Sequence, residues 1–359
     1  MSVIRHARTV SIVKGHCVLE GPVVGPEVIC TGQRRGAIVG LSRTDLRVLW
    51  KRESKYLVPK CGNSDTIVLW SLGTGSEGWN WKGETVWLRD KSARLLLSNE
   101  RMLEVAGGLL EVDLRTGGTL SRVECPEGKP RAMSGSILIL VAGEKGEAVR
   151  AFDLTARRLL WERDLLKEMR SLYGADEPHP VLGLAFCDEN RLIATRGGYV
   201  FGVSAADGQL TWAKRAEIPY VSPQVVDGRV YLWTSPAGAR KALIDVDAGT
   251  VTRDAVPSTG GRLVILDART GDTLSDLDLT KLGSEFAVSQ EPQEGTLGKR
   301  HIAFSTRGGL LAVFRLADGE LVFKHQHTDP LFPPAIVDRE IYAVGGDGSL
   351  TVFQSEDEI

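Results

Sequence analysis

The chain has 359 residues, with 44 basic and 46 acidic side chains and a hydrophobic content of 42%. So balanced a charge supplies no overall field for drawing the protein to nucleic acid or an anionic membrane, and no apolar run approaches the roughly 20 residues that span a bilayer. The five cysteines, Cys17, Cys30, Cys61, Cys125 and Cys187, are odd in number and far apart, which fits reduced core thiols rather than a disulfide framework or a Cys-x-x-Cys zinc site.

The first residues, Met1 to Arg8, pass straight into polar sequence without the pattern of a secretory leader, so a cytoplasmic location is expected. Thr9 to Leu19 has strand composition but no hairpin of its own. Thereafter most of the chain reads as copies of one unit, best preserved in Gly198-Tyr-Val-Phe-Gly-Val-Ser204-Ala-Ala-Asp-Gly208-Gln-Leu-Thr-Trp212. Alternating apolar positions, an Asp-Gly turn and a short strand closed by a bulky residue make one β-hairpin.

Ser42 opens the series, with Gly36 before it and Trp50 after it. A degraded copy is expected between Leu57 and Asp90, followed by copies anchored at Asp113, Asp153, Ser204, Asp267, Arg315 and Gln354. Asp245 falls too close to Asp267 for a copy of its own and shares one with it, with an extra hairpin expected near Pro257. A further apolar pair upstream of many anchors, as in Pro223 to Trp233, brings each unit to four strands. A period of about forty residues with four strands per period predicts an all-β chain: a single β-propeller of eight blades, with seven the alternative. The last copy stops after its third strand, so the N-terminal strand is expected to complete that blade and close the ring. The propeller then covers residues 1–355, and 356–359 form an acidic tail expected to be solvated. Between blades, Asp164 to Gly174 has helical periodicity and predicts a short projecting helix.

Few motifs carry chemistry. Gly73-Thr-Gly75-Ser-Glu-Gly78 has the spacing of a dinucleotide loop, but Trp79-Asn-Trp81-Lys82 follows in place of a helix, so no amide array awaits a pyrophosphate. Trp79 and Trp81 flank one residue of a Gly-rich turn beside Lys82, and these three are the candidates for partner contact, against the alternative that the rings fill gaps between blades. His325-Gln-His327, with Asp329 two further on, puts two imidazoles on one strand face. No third ligand is evident in the sequence, so no metal is expected, and His325 and His327 are the only candidates for one. No catalytic set and no cofactor site can be picked out by spacing.

The units Ile265-Leu-Asp267-Ala-Arg-Thr-Gly271, Glu111-Val-Asp113-Leu-Arg-Thr-Gly117 and Ala151-Phe-Asp153, with Trp50, Trp161 and Trp212 closing their strands, resemble the pyrroloquinoline-quinone-type repeat of the quinoprotein alcohol dehydrogenase-like superfamily. In that family the tryptophan docks on a peptide plane of the next blade. The resemblance therefore implies a docking role for Trp50, Trp161 and Trp212, and for Phe323 at the same offset. Ser121, Arg253 and Ser275 occupy that offset elsewhere, and their blades are expected to dock less firmly.

The superfamily includes quinone-dependent dehydrogenases, outer-membrane assembly lipoproteins and binding modules, and the fold does not choose between them. The dehydrogenases look like longer secreted chains with adjacent disulfide-bonded cysteines, which this sequence lacks. The expected function is a non-catalytic protein-binding scaffold without cofactor, nucleic-acid or membrane binding. The resemblance implies AAA+ ATPases or von Willebrand A-type proteins as its partners. The alternative is an enzyme or sensor with a small ligand in the central channel.

Overall fold

The computed structural model describes residues 4–12, 21–32, 35–55, 57–71, 75–89, 95–98, 101–105, 109–143, 148–164, 167, 183–196, 199–215, 223–234, 243–245, 250–252, 261–283, 286 and 295–359. Each repeat folds as a four-stranded antiparallel sheet, and there are eight such blades among the described residues. Seven run sequentially, over 23–55, 58–89, 95–123, 129–164, 183–215, 224–278 and 296–326. We letter the strands a to d from the channel outward. The degraded copy expected between Leu57 and Asp90 is the complete second blade.

The eighth blade takes strands a to c from residues 335–355 and its outer strand from Ile4–Ser11, which pairs antiparallel along Ser349–Ser355. Closure by an N-terminal strand is therefore realised, but by residues beginning earlier than the expected Thr9 to Leu19, of which 13–19 lie outside the described residues. The extra hairpin of blade 6 pairs Leu243–Asp245 with Thr250–Thr252, upstream of its expected position, and Pro257 lies outside the described residues. So does the expected helix after Asp164, although the Lys167 N–H does donate to Asp164 Oδ1 at 2.9 Å. No described helix is long and apolar enough to cross a membrane.

Both faces of every blade meet a neighbour, so the apolar residues sort into eight clusters, one at each joint of the ring. Blades 4 and 5 share Ile139, Val149, Trp161, Leu192 and Phe201. Blades 6 and 7 share Trp233, Phe286, Phe304 and Phe314. The closing joint between blades 8 and 1 holds Val39, Leu41, Tyr342 and Val352. A sheet buried on both faces loses the simple in-out alternation of a surface sheet, and Leu310–Arg315 is accordingly buried at five successive positions.

The tryptophans lock these joints. In blades 1, 2, 4 and 5 a bulge shifts the c–d register beside the tryptophan and turns its ring toward the next blade. There the indole N–H finds the carbonyl one residue past the anchor: Trp50 to Trp81 O at 2.9 Å, Trp87 to Leu114 O at 2.8 Å, Trp161 to Ala205 O at 2.8 Å and Trp212 to Ala268 O at 3.1 Å. Two residues on, a cation bonds the same receiving turn. Arg52 donates to Gly83 O, Arg89 to Gly117 O, Arg163 to Asp207 O and Lys214 to Gly271 O. Trp50 needs glycine on both sides of its ring, since a Cβ on Gly40 would lie 2.1 Å from it and one on Gly83, 2.7 Å, whereas Trp161 has Ala151 opposite it in its own blade.

The blades without tryptophan solve the joint differently. Blade 6, with Ser275, sends Tyr231 Oη to the equivalent carbonyl, Leu316 O, at 2.6 Å, beside Arg229 Nη1 at 2.8 Å. In blade 8, Arg8 stands opposite Val352 at the tryptophan position and donates to Arg43 O at 3.1 Å. The expectation of weaker docking at Ser275 thus meets a substitute from strand b. Blade 3 pairs Ser121 with Glu111 across the strands. Phe323 packs against Phe353 of blade 8, with centroids 5.1 Å apart and the rings tilted by 56°. Arg253 lies outside the described residues.

The anchors work as turn caps. Asp113 Oδ1 accepts from the N–H groups of Arg115 and Thr116, and Asp267 Oδ1 from those of Arg269 and Thr270. Gly117 and Gly271 take the left-handed φ values of 66° and 75° that end these turns. Hydrogen bonds from backbone N–H groups hold both carboxyls below their ordinary range. A depressed folded value contributes stability that is present above the unfolded pKa and lost as pH falls through the folded one. His301 acts in the same direction at higher pH. Burial lowers the pKa of its imidazole in the fold, so stability present above the unfolded value is lost as pH falls below about 6.5. Urea unfolding from pH 8 to pH 3 is therefore expected to show a shallow decline below about pH 6.5 and a steeper one below about pH 4. Asparagine at Asp113 and Asp267 should flatten only the second.

Candidate functional site

An antiparallel meander sends its a–b and c–d turns to one end of the blade and its b–c and d–a connections to the other. Here the two ends differ. On the first face the connections are tight turns, such as 135–136, 189–190, 227–228 and 338–339 between strands a and b. On the second lie the longest stretches between described strands: 12–22, 165–182, 216–223, 235–261, 279–295 and 327–334. Loops carry recognition when a rigid frame positions them, so the second face is where variable chemistry is displayed.

Trp79, Trp81 and Lys82 lie on the tight-turn face of blade 2, and only Lys82 is exposed. Trp79 is 1% exposed, bonds Glu77 Oε2 through its indole N–H at 2.7 Å, and has Arg52 stacked 4.0 Å from its ring. Trp81 donates to Asn63 O at 2.9 Å and lies so close to Gly25 and Gly62 that a Cβ on either would collide with it. The expected exposed aromatic pair is therefore not formed, because the rings fill the joint between blades 1 and 2. Gly73 and Thr74 lie outside the described residues.

The His325 and His327 rings, 6.5 Å apart between centroids, sit in different surroundings at the edge of blade 7. The His325 ring packs on Phe353 at 4.9 Å between centroids, and burial there lowers its pKa. His327 begins the connection to blade 8 on the long-loop face and meets the b–c turn of that blade. Asp329 and Asp347 offer carboxylates within 4.8 Å of it and of each other. Asp347 and Ser349 escape a sequence reading because the connection to blade 8 and its strands Ala335–Val337 and Glu340–Val344 separate them from His327. The visible signal is the turn Gly345-Gly-Asp-Gly-Ser349, whose glycines call for close packing.

A second polar cluster sits on the tight-turn face where the ring closes. Arg43 bonds Asp338 at 2.8 Å, Glu340 at 3.1 Å and Tyr342 Oη at 2.8 Å, and Arg8 bonds Glu340 at 2.7 Å. Burial would lower the Arg43 pKa, but these bonds more than offset it and keep the guanidinium charged. Arg43, Asp338, Arg339, Glu340, Gln354 and Glu358 line an open depression of about 520 Å³. The acidic tail borders it, with Glu356 and Asp357 exposed as expected of a solvated tail and Ile359 docked. Ile359 is 1% exposed, its N–H donates to Asp338 O at 3.0 Å, and its carbonyl accepts from Lys299 N at 2.8 Å. An apolar last residue pins the acidic ones against Arg5 and Lys299.

Several solved structures share this architecture. BamB from Moraxella catarrhalis superposes with a TM-score of 0.63 at 15% identity, covering 99% of both chains. The computationally designed Ika8 protein gives 0.68 at 15% identity, covering 96% of this chain and 98% of its own. The C-terminal WD40 domain of Sif2 gives 0.65 at 12% identity, with the same coverage. At such identities the likeness is one of fold. No curated protein sequence matches the chain. The sequence profile described as outer membrane protein assembly factor BamB, of the pyrroloquinoline-quinone repeat type, matches residues 145–254 and 259–358. With more than half of the chain matched and each repeat folded as a blade, the chain belongs to the BamB-type PQQ-repeat propeller family.

Proposed function

We propose that the protein is a non-catalytic scaffold of a cytosolic multi-protein system and that it takes its partners on the long-loop face. The observation that carries this reading is the asymmetry of the ring. Eight interlocked blades fix one face as short turns, and the longest stretches between described strands leave from the other, as on a rigid frame whose connections carry recognition. Propellers of the BamB and WD40 types commonly bind proteins, which supports the general function. The AAA+ ATPase and von Willebrand A-type partners rest on resemblance. The free thiols of Cys30, Cys61, Cys125 and Cys187 agree with a reducing compartment.

Crosslinking at native abundance followed by mass spectrometry tests the proposal. Wild-type protein should yield a defined partner, and replacing 235–261 by a two-residue turn should abolish that crosslink while the thermal melt is kept. Recovery of no partner, or a crosslink indifferent to the long-loop face, removes the reading. The family description favours a second reading, in which the partner belongs to outer-membrane assembly. Crosslinks confined to envelope fractions would select it.

A further inference from the structure

We propose that His327, Asp329 and Asp347 bind one zinc-type divalent cation where the connection between blades 7 and 8 meets the b–c turn of blade 8. This does not depend on the scaffold reading. His327 Nε2 and Asp347 Oδ2 are 3.7 Å apart, close to the ligand-to-ligand edge of a tetrahedral ion with bonds of about 2.0–2.2 Å. One candidate ligand atom from each of the three residues lies within 4.8 Å of the others, and the Asp329 carboxylate, whose Oδ2 accepts from Thr328 Oγ1 at 3.1 Å, turns toward the ion on binding.

Two of the donors are held by their neighbours. Asp347 Oδ1 accepts from Ser349 N at 2.9 Å and from Ser349 Oγ at 2.7 Å, which leaves Oδ2 for the ion. His327 Nδ1 lies 3.0 Å from the Asp329 N–H and 3.2 Å from the Asp329 carbonyl. It therefore has a backbone partner in either tautomer. With the proton on Nδ1 donated to that carbonyl, Nε2 presents its lone pair to the cation, the usual orientation of a metal-ligating imidazole. Without the ion, the other tautomer donates from Nε2 to Ser349 Oγ at 3.2 Å, so binding exchanges one hydrogen bond for a coordinate bond.

The backbone leaves room for this convergence. A Cβ on Gly345 would lie 2.5 Å from Asp347 Oδ1, 2.8 Å from His327 Cε1 and 2.9 Å from Ser349 Oγ. A Cβ on Gly309 would press on the carbonyls of His327 and Asp329 at 2.4 and 2.6 Å. Glycine at both turns lets the connection settle between two blades. One imidazole and two carboxylates suit zinc, whereas calcium takes six to eight oxygens. Three protein ligands leave a fourth position for water or for a group from a partner.

The test uses the untagged full-length chain, stripped with chelator and titrated with zinc chloride by calorimetry, with thermal melts recorded with and without zinc. One zinc per chain and a zinc-dependent rise in melting temperature are expected. Affinity should fall at least about tenfold in Asp347→Asn and in His327→Gln. His325→Ala should bind as the wild type does. Asp347→Asn keeps the acceptor for Ser349, so it carries the test alone should the histidine variant not fold. Absence of binding to the wild-type chain, or binding that Asp347→Asn leaves unchanged, overturns the proposal.

Discussion

Replacing Trp161 with alanine is expected to lower the unfolding free energy by about 3–5 kcal/mol. The side chain is 7% exposed and lies in the cluster joining blades 4 and 5. Its ring stands opposite Ala151 in its own blade and covers Gly208 of the next, where a Cβ would come within 2.6 Å of it. Its N–H makes a buried bond to Ala205 O. Truncation therefore opens a cavity and leaves a buried carbonyl unpaired, and both costs fall on one joint. Trp212→Ala should cost less, because the same interactions there are half exposed. Urea denaturation of both variants checks the order, and a loss below about 1 kcal/mol for Trp161→Ala would show that the indole does not lock the joint.

Deleting residues 1–12 should lower the melting temperature by at least about 10 °C and promote association. Strand Ile4–Ser11 pairs along the whole of Ser349–Ser355. Its Arg8 holds both the blade 1 turn and Glu340, while Ile4 sits in the cluster between blades 7 and 8. Without it, strand c of the last blade becomes an open edge and the joint between blades 8 and 1 loses its cross-link. Arg8→Ala isolates the second effect and is expected to cost about 1–3 kcal/mol. An unchanged melt after the deletion would mean that the ring holds without its clasp.

The repeat was legible because each of its residues answers a local need. Asp113, Asp153 and Asp267 cap their own turns, Gly117 and Gly271 supply positive φ, and Trp50, Trp161 and Trp212 fall at a constant offset. Blade count, fold class and the principle of closure follow from that spacing. The structure adds why the features occur together. In blade 3, Ser121 replaces the tryptophan, Glu111 replaces the small residue beneath it, and Arg157, at φ 51°, replaces the glycine of the receiving turn in blade 4. No large ring lies there, so no glycine is needed on either side of it.

What the sequence by itself determined is what adjacent residues decide: hairpins, turns, the period and the docking offset. Where distant segments meet was decided only by the tertiary structure. Trp79 and Trp81 resemble an exposed recognition pair until blade 1 is placed over them. The end of the tail reads as solvated until Ile359 finds its site beside Asp338. His327 lacks a third ligand until the ring brings Asp347 to it across a blade boundary. In a closed ring every blade face is an interface, so the exposure of a residue, and with it the chemistry open to it, is set by the neighbouring blade and not by its own strand.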